Sequence, residues 1–195
     1  MLDDPDRAER TIDWDESTRP RVTPETDLPA SGMGEHLVLI HDMFRRELDA
    51  ISEVRDRVRA GVDDIGALRA QIQGLTLRQA FEQFGAFCAQ YCQAVNAHHS
   101  IEDAHMFPAL RRAEGDLAPV IDRLGEEHVT IHQVLVDLDR AAVVLARTGD
   151  GFDDVDRLVD VLASGLRSHL TYEESQLVAP LSDHRIVIWA PEELR

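Results

Sequence analysis

The sequence predicts an all-α protein. The expected architecture is an antiparallel, up-down four-helix bundle with a short extra helix between helices 1 and 2, and flanking arms. Three observations point there. Four long segments repeat apolar residues every three or four positions, the period of an amphipathic helix. Ala, Leu, Val and Arg are plentiful while aromatics make up only 5% of the chain, a mix that suits helix better than sheet. Short connections between the later segments imply antiparallel neighbours. At 195 residues the chain suits one domain with a sizeable core.

Residues 1–32 are acidic and carry Pro5, Pro20, Pro24 and Pro29, the composition of a flexible arm. Trp14 is placed to pin it to the body. The bundle is expected over 33–181. In the first helix Leu37, His41, Phe44, Leu48, Ile51 and Val58 share one stripe, which stops near Gly61. A short amphipathic helix then runs from Asp63 to about Ile72. The second long helix opens with Thr76 and Gln79, a capping-box pattern. Its stripe is Leu77, Phe81, Phe84, Cys88, Tyr91, Val95, His98, Glu102 and His105, and Pro108 should kink or end it. The third helix starts near Asp116, with Pro119 tolerated in its first turn, and its stripe is Leu117, Ile121, Leu124, His128, Ile131, Leu135 and Leu138. Thr148 to Gly151 reads as a turn. The fourth helix carries Val155, Leu162, Leu166, His169, Glu173 and Leu177, and stops near Pro180. The tail, 182–195, holds Ile186, Val187, Ile188 and Trp189, which are expected to dock on the bundle.

Charge and cysteine usage exclude several functions. The net charge is -17, so the surface repels nucleic acid and anionic membranes. No apolar run is long enough to span a bilayer, and the polar, acidic start has no signal-peptide core. Cys88 and Cys92 lie four apart on one helix, a poor geometry for a disulfide. A cytoplasmic location is expected. All 20 basic residues are Arg, which reads as composition rather than selection of any one site. There is no phosphate loop, nucleophile elbow or zinc-ribbon spacing.

The chemistry lies in the stripes. Each long helix interrupts its apolar face with metal-binding side chains: His41; His98 and Glu102; His128 and His132; His169 and Glu173. Three of these sets are spaced i, i+4, which advances a helix by about 40° beyond a full turn and about 6 Å along its axis. Two such side chains share a face and can reach one centre, and a bundle can gather four helices' ligands at one depth. A lone core histidine is more often a hydrogen-bonded core residue than a ligand. Seven ionisable groups in one core, however, are very costly without a compensating partner, and metal is the simplest one. Imidazole and carboxylate without thiolate suit iron, manganese or zinc. Seven ligands exceed one tetrahedral zinc and fit two six-coordinate ions. If both carboxylates and one oxide or hydroxide bridge the ions, a single coordination position stays open for a small ligand such as dioxygen, peroxide or nitric oxide.

These residues resemble the hemerythrin family in its bacterial HHE cation-binding branch, from about Glu35 to Pro180. The motifs are His41; His98-His99-Ser100-Ile101-Glu102-Asp103 with Phe107-Pro108; Glu127-His128 through His132; and His169 through Glu173-Glu174. The resemblance implies two iron ions in an oxo- or hydroxo-bridged di-iron centre. It implies His98, rather than His99, as the ligand paired with Glu102, and Glu102 and Glu173 as bridging carboxylates, with Glu174 the fallback for Glu173. It implies a small ligand from the set of dioxygen, nitric oxide and peroxide. Ferritin-like sites use Glu-x-x-His pairs and mostly carboxylates, whereas the sets singled out here are His-x-x-x-Glu and His-x-x-x-His.

Tyr91 and His105 lie seven residues either side of His98, each about 20° off its face. Tyr91 either donates to a bound ligand or is a core tyrosine; His105 is an outer ligand, a proton relay or a surface histidine. Asp103, Glu127 and Glu174 adjoin ligands and could accept from ring N–H groups. His36 lies about 140° from His41 and is not expected to share the centre. Three functions follow in order. The first is binding of dioxygen or a related ligand for carriage, storage or sensing. The second is an enzyme consuming peroxide or reducing oxygen or nitric oxide. The third is a metal-state-dependent regulatory module.

Overall fold

The computed structural model describes residues 14, 16–22, 30–65 and 89–183. Helix α1 spans Gly32–Ile65. The described part of α2 covers 89–113: it is α-helical over 89–101, π-helical over Glu102–Met106 and α-helical again over Phe107–Ala113. A single 3-10 turn, Gly115–Leu117, leads into α3, Ala118–Thr148, and α4 spans Phe152–Ser182. No strand occurs among the described residues, and none of their helices is long and apolar enough to cross a membrane.

Two boundaries differ from those the sequence implied. Helix α1 continues through Gly61 to Ile65, because one glycine inside a helix costs only about 1 kcal/mol and long flanking segments outweigh it. Helical structure continues past Pro108 to Ala113. Pro108 follows a π-turn in which the Phe107 N–H donates to the Glu102 carbonyl, five residues back, and it occupies the first turn of the segment Phe107–Ala113, where a missing N–H is tolerated. The expected short helix beyond Ile65, the Thr76–Gln79 cap, Cys88 and the tail from His184 lie outside the described residues. Gly149 and Gly151 have φ of 77° and 88°, the left-handed geometry that makes glycine the turn residue there.

The chain divides into two compact units. The second, Asp42–Asn96 with His132–Ser164, buries an apolar set that includes Phe44, Leu48, Ile51, Tyr91, Val95, Leu138, Leu145 and Leu162. Its Tyr91 hydroxyl donates to the Phe44 carbonyl at 3.2 Å. Half-buried Cys92 lies 3.7 Å from the Leu135 carbonyl, and burial, followed by the charge of Asp139, pushes its thiol up to about 12. Arg55 and Arg59 pair with Asp160 and Asp156 on its surface.

The first unit comprises Met1–His41, Ala97–Ile131 and Gly165–Arg195, and in it segments of all four helices meet. Its apolar core joins Leu37 of α1, Met106, Phe107 and Leu110 of α2, Val120, Ile121 and Leu124 of α3, and Tyr172, Leu177 and Leu181 of α4. The start of α1 lies hard against the end of α4: a Cβ at Gly34 would run into Ser182 Oγ and the Val178 carbonyl. The arm, expected to be loose, is packed over its described part. Trp14 lies over Gly165, where a Cβ would come within 2.8 Å of the indole. Val22 packs against the core, and Arg19 is buried.

Candidate metal centre

Two groups of potential ligands converge inside the first unit. One is His99, His128 and His169; the other is His41, His98, Glu102 and Glu173. Within each group the ligand atoms lie within 4.8 Å of one another. All seven side chains are buried apart from His98, which keeps a small exposed edge.

The two carboxylates span the groups. Glu102 Oε1 lies 3.0 Å from His98 Nε2 and its Oε2 lies 3.6 Å from His128 Nε2. Glu173 Oε2 lies 3.5 Å from His41 Nε2 and 3.6 Å from His169 Nε2. The Nε2 atoms of His41 and His98 face each other at 3.1 Å. His99 and His128 stack with ring centroids 4.0 Å apart, and Phe107 closes the other face of His128 at 5.3 Å.

Three further carboxylates orient the rings from behind. His41 Nδ1 lies 2.9 Å from Glu174 Oε1, His128 Nδ1 2.9 Å from Asp103 Oδ1, and His169 Nδ1 3.0 Å from Glu127 Oε2. A carboxylate only accepts, so each Nδ1 carries the proton and donates. Each Nε2 lone pair is thereby left pointing into the site, the arrangement seen behind metal-bound imidazoles. Glu174 thus faces His41 Nδ1, while Glu173 spans the two groups.

The interior of the site is short of partners. His99, His128 and His169 Nε2 and both oxygens of Glu102 and Glu173 are buried without a hydrogen bond of proper geometry. Burial pushes the Glu102 and Glu173 carboxyls well above their ordinary range, and at Glu173 the neighbouring Glu102 adds to the rise. Burial likewise pushes His99 and His169 well below theirs, with surrounding histidines adding to the fall. His98 is pushed down to about 4, by burial first and His36 second. Orphaned lone pairs facing one another are costly. Cations placed among them would satisfy imidazole and carboxylate together, so the donor set fits bound metal.

The sequence model of the hemerythrin HHE cation-binding domain matches residues 33–181. The chain belongs to that family. No curated protein and no solved structure gives a significant match.

Against the pattern expected for a hemerythrin-family chain, the structure brings together His41, His98, Glu102, His128, His169 and Glu173. It does not bring His132, which is exposed. Leu124, Glu127 and Ile131 mark the centre of the buried face of α3. His128 lies at its edge, and His132, about 40° further round, passes out of it. His99 takes the vacant place, only 4% exposed. On a helical wheel Glu102 lies about 40° from His98 and about 60° from His99, between the two, so the doublet flanks one carboxylate and serves both groups. That doublet was the signal for His99.

His105 is also corrected: it is exposed. The π-turn, with its longer i→i+5 bond, rotates each residue by less than an α-turn, so His105 falls off the stripe. Tyr91 is buried, but its hydroxyl is directed to the Phe44 carbonyl, as befits a core tyrosine. His36 is exposed. Glu127 and Arg19 are fully buried side chains joined at 2.8 Å. No spacing rule marks Arg19, which precedes α1.

Proposed function

We propose that this chain holds two iron ions and binds dioxygen or a related small ligand, peroxide or nitric oxide, as a carrier, store or sensor. The observation that carries the reading is the convergence of five imidazoles and two carboxylates, with the inward atoms of His99, His128, His169, Glu102 and Glu173 buried without a hydrogen bond. His99, His128 and His169 would hold one ion, and His41 and His98 the other. Glu102 and Glu173, each within reach of both groups, would bridge them. This reading keeps the ligand count expected from sequence, with His99 in place of His132, and it goes with an antiparallel up-down bundle.

A pair of iron ions supplies redox chemistry and a coordination position for a small ligand. The protein's own part is to orient. Glu174, Asp103 and Glu127 hold three imidazoles in one tautomer. Phe107, Met106 and Leu37 are buried in the apolar core of the same unit, and Phe107 stacks on His128. The enzymatic alternative drew on Tyr91 and His105 as polar groups near the centre. With the first bonded to backbone and the second exposed, no observation favours it over carriage or sensing.

The test is anaerobic reconstitution with ferrous iron, metal counting, and absorption spectra before and after air. Two irons per chain and a new band that reverses under vacuum are expected. A band that bleaches irreversibly to the ferric state would move the assignment to redox turnover. One zinc per chain, or no metal, would sink the di-iron reading.

A further inference from the structure

One buried cation is unaccounted for by the metal reading. Arg19 comes from the segment that precedes α1, yet its side chain is fully buried. Its Nε donates to Glu127 Oε1 at 2.8 Å. Its Nη1 donates to Ser168 Oγ at 2.9 Å and to the Ser168 carbonyl at 3.3 Å. The guanidinium lies 4.7 Å from the Tyr172 ring and 5.7 Å from that of Trp14. Glu127 receives the His169 Nδ1–H on its other oxygen, so a continuous chain of bonds runs from the arm to the His169 imidazole, which faces the site. Arg19 Nη2 is buried without a hydrogen-bond partner, so the guanidinium is held through Nε and Nη1, and burying it carries a cost that a loose arm would not meet.

Helix α4 carries two stripes one residue apart. His169 and Glu173 face the site. Ser168, Tyr172 and Gln176 precede positions 169, 173 and 177 by one residue each, and all three hold the arm. Ser168 accepts from Arg19, the Tyr172 hydroxyl donates to the Pro20 carbonyl at 2.6 Å, and Gln176 Oε1 accepts from the Val22 N–H at 2.8 Å. A rotation of α4 that shifts the ligands therefore shifts all three arm contacts.

We propose that residues 16–22 form a strap in which Arg19 is a positioning residue for His169, so that strap docking and metal binding are coupled. The inference rests on the metal reading above and adds a control to the same site. Arg19 acts through Glu127: with Oε1 anchored, Oε2 is held where it fixes the plane of the His169 ring. Arg123 also donates to Oε1 at 2.8 Å. It lies four residues back on the same helix and is partly exposed, so this bond stays within α3, whereas Arg19 joins Glu127 of α3 to Ser168 of α4. Coupling is reciprocal: whatever factor the strap adds to metal affinity, metal adds to strap docking.

The experiment uses full-length protein titrated anaerobically with ferrous iron against a chelator, alongside hydrogen exchange of residues 16–22 with and without iron. Arg19→Met is expected to weaken iron affinity about tenfold, the lower end for loss of a ligand's supporting partner, and Arg19→Lys should recover part of that. Ser168→Ala, the mild variant that decides the matter should Arg19→Met fail to fold, is expected to weaken affinity about threefold, as for one lost hydrogen bond. Arg111→Met, which removes the same charge from an exposed pair with Asp122, should leave affinity unchanged. Iron should protect residues 16–22 in the wild type by the factor that Arg19→Met loses. If the wild type binds iron while the Arg19 and Ser168 variants match it, or iron leaves strap protection unchanged, the coupling is overturned and the metal reading stands. If the wild type binds no iron, both fall.

Discussion

The same helices build two different interiors. In the unit containing Leu48, Ile51, Leu138 and Leu162, the stripes bury hydrocarbon, which needs nothing beyond close packing. In the unit containing His99, His128 and His169, the stripes carry imidazoles, with Glu102 and Glu173, whose inward atoms are buried without a hydrogen bond. A helical period brings side chains inward whatever their chemistry. One interior is complete as a polypeptide, and the other is completed by what it binds.

Metal removal should expose that difference most strongly. A ligand present at a thousandfold excess over its Kd stabilises the folded state by about 4 kcal/mol. Stripping iron should therefore lower stability by about that amount, with hydrogen-exchange protection lost first around His98–Glu102 and His169–Glu173. Leu162→Ala should cost about 3 kcal/mol whether or not iron is bound. Equal loosening of both regions on iron removal would erase the distinction.

A paired substitution sharpens it. His99→Ala is expected to weaken iron binding at least about tenfold, whereas His132→Ala, on the exposed face of α3, should bind iron as the wild type does. The reverse result in chelator competition would return the ligand role to His132.

The smallest effect is the pH dependence of the metal-free protein. His98, His99 and His169 have lowered values in the fold. Below the unfolded histidine value of about 6.5, the unfolded chain takes up protons that the fold refuses, so stability falls with falling pH. Glu102 and Glu173 have raised values. The unfolded chain ionises them above about 4.3 while the fold holds them neutral, so their contribution is lost as pH rises. Three histidines oppose two carboxyls on the acid side, and the carboxyls act alone above it. Thermal melts should therefore peak near about pH 6.5 and fall by about 1.4 kcal/mol per pH unit and net proton on either side. Iron bound as proposed would hold both carboxylates ionised and so abolish the alkaline limb. An alkaline limb of equal slope with iron bound would mean that Glu102 and Glu173 do not meet the metal.

Much of this was legible in the chain. The all-helical class follows from stripes such as Leu117 to Leu138. His98 with Glu102 and His169 with Glu173 converge because i, i+4 spacing obeys helix geometry, while His41 and His128 join them from the apolar stripes of α1 and α3. Asp103, Glu127 and Glu174 were recognisable as supports from their position beside ligands. Three features were not legible. A wheel drawn through His128 does not reveal that the buried face of α3 is centred on Leu124, Glu127 and Ile131, so His132 was misplaced. A π-turn has no composition signature and hides the fate of His105. Arg19 reaches Glu127 across 108 positions of sequence, and no local pattern encodes so distant a pairing.

The π-turn at Glu102–Met106 makes α2 a helix in two phases. Before it, the inward arc is set by His98, His99 and Glu102; after it, by Met106, Phe107 and Leu110. Neither arc continues the other, and the turn works as a phase slip of one residue that lets a single rod satisfy two neighbourhoods. Residue count between Glu102 and Phe107 is therefore part of the site's specification. Loss of one residue there would let α2 close into a regular α-helix with Phe107 still on the side of His128, whereas a second extra residue would turn the apolar arc toward solvent.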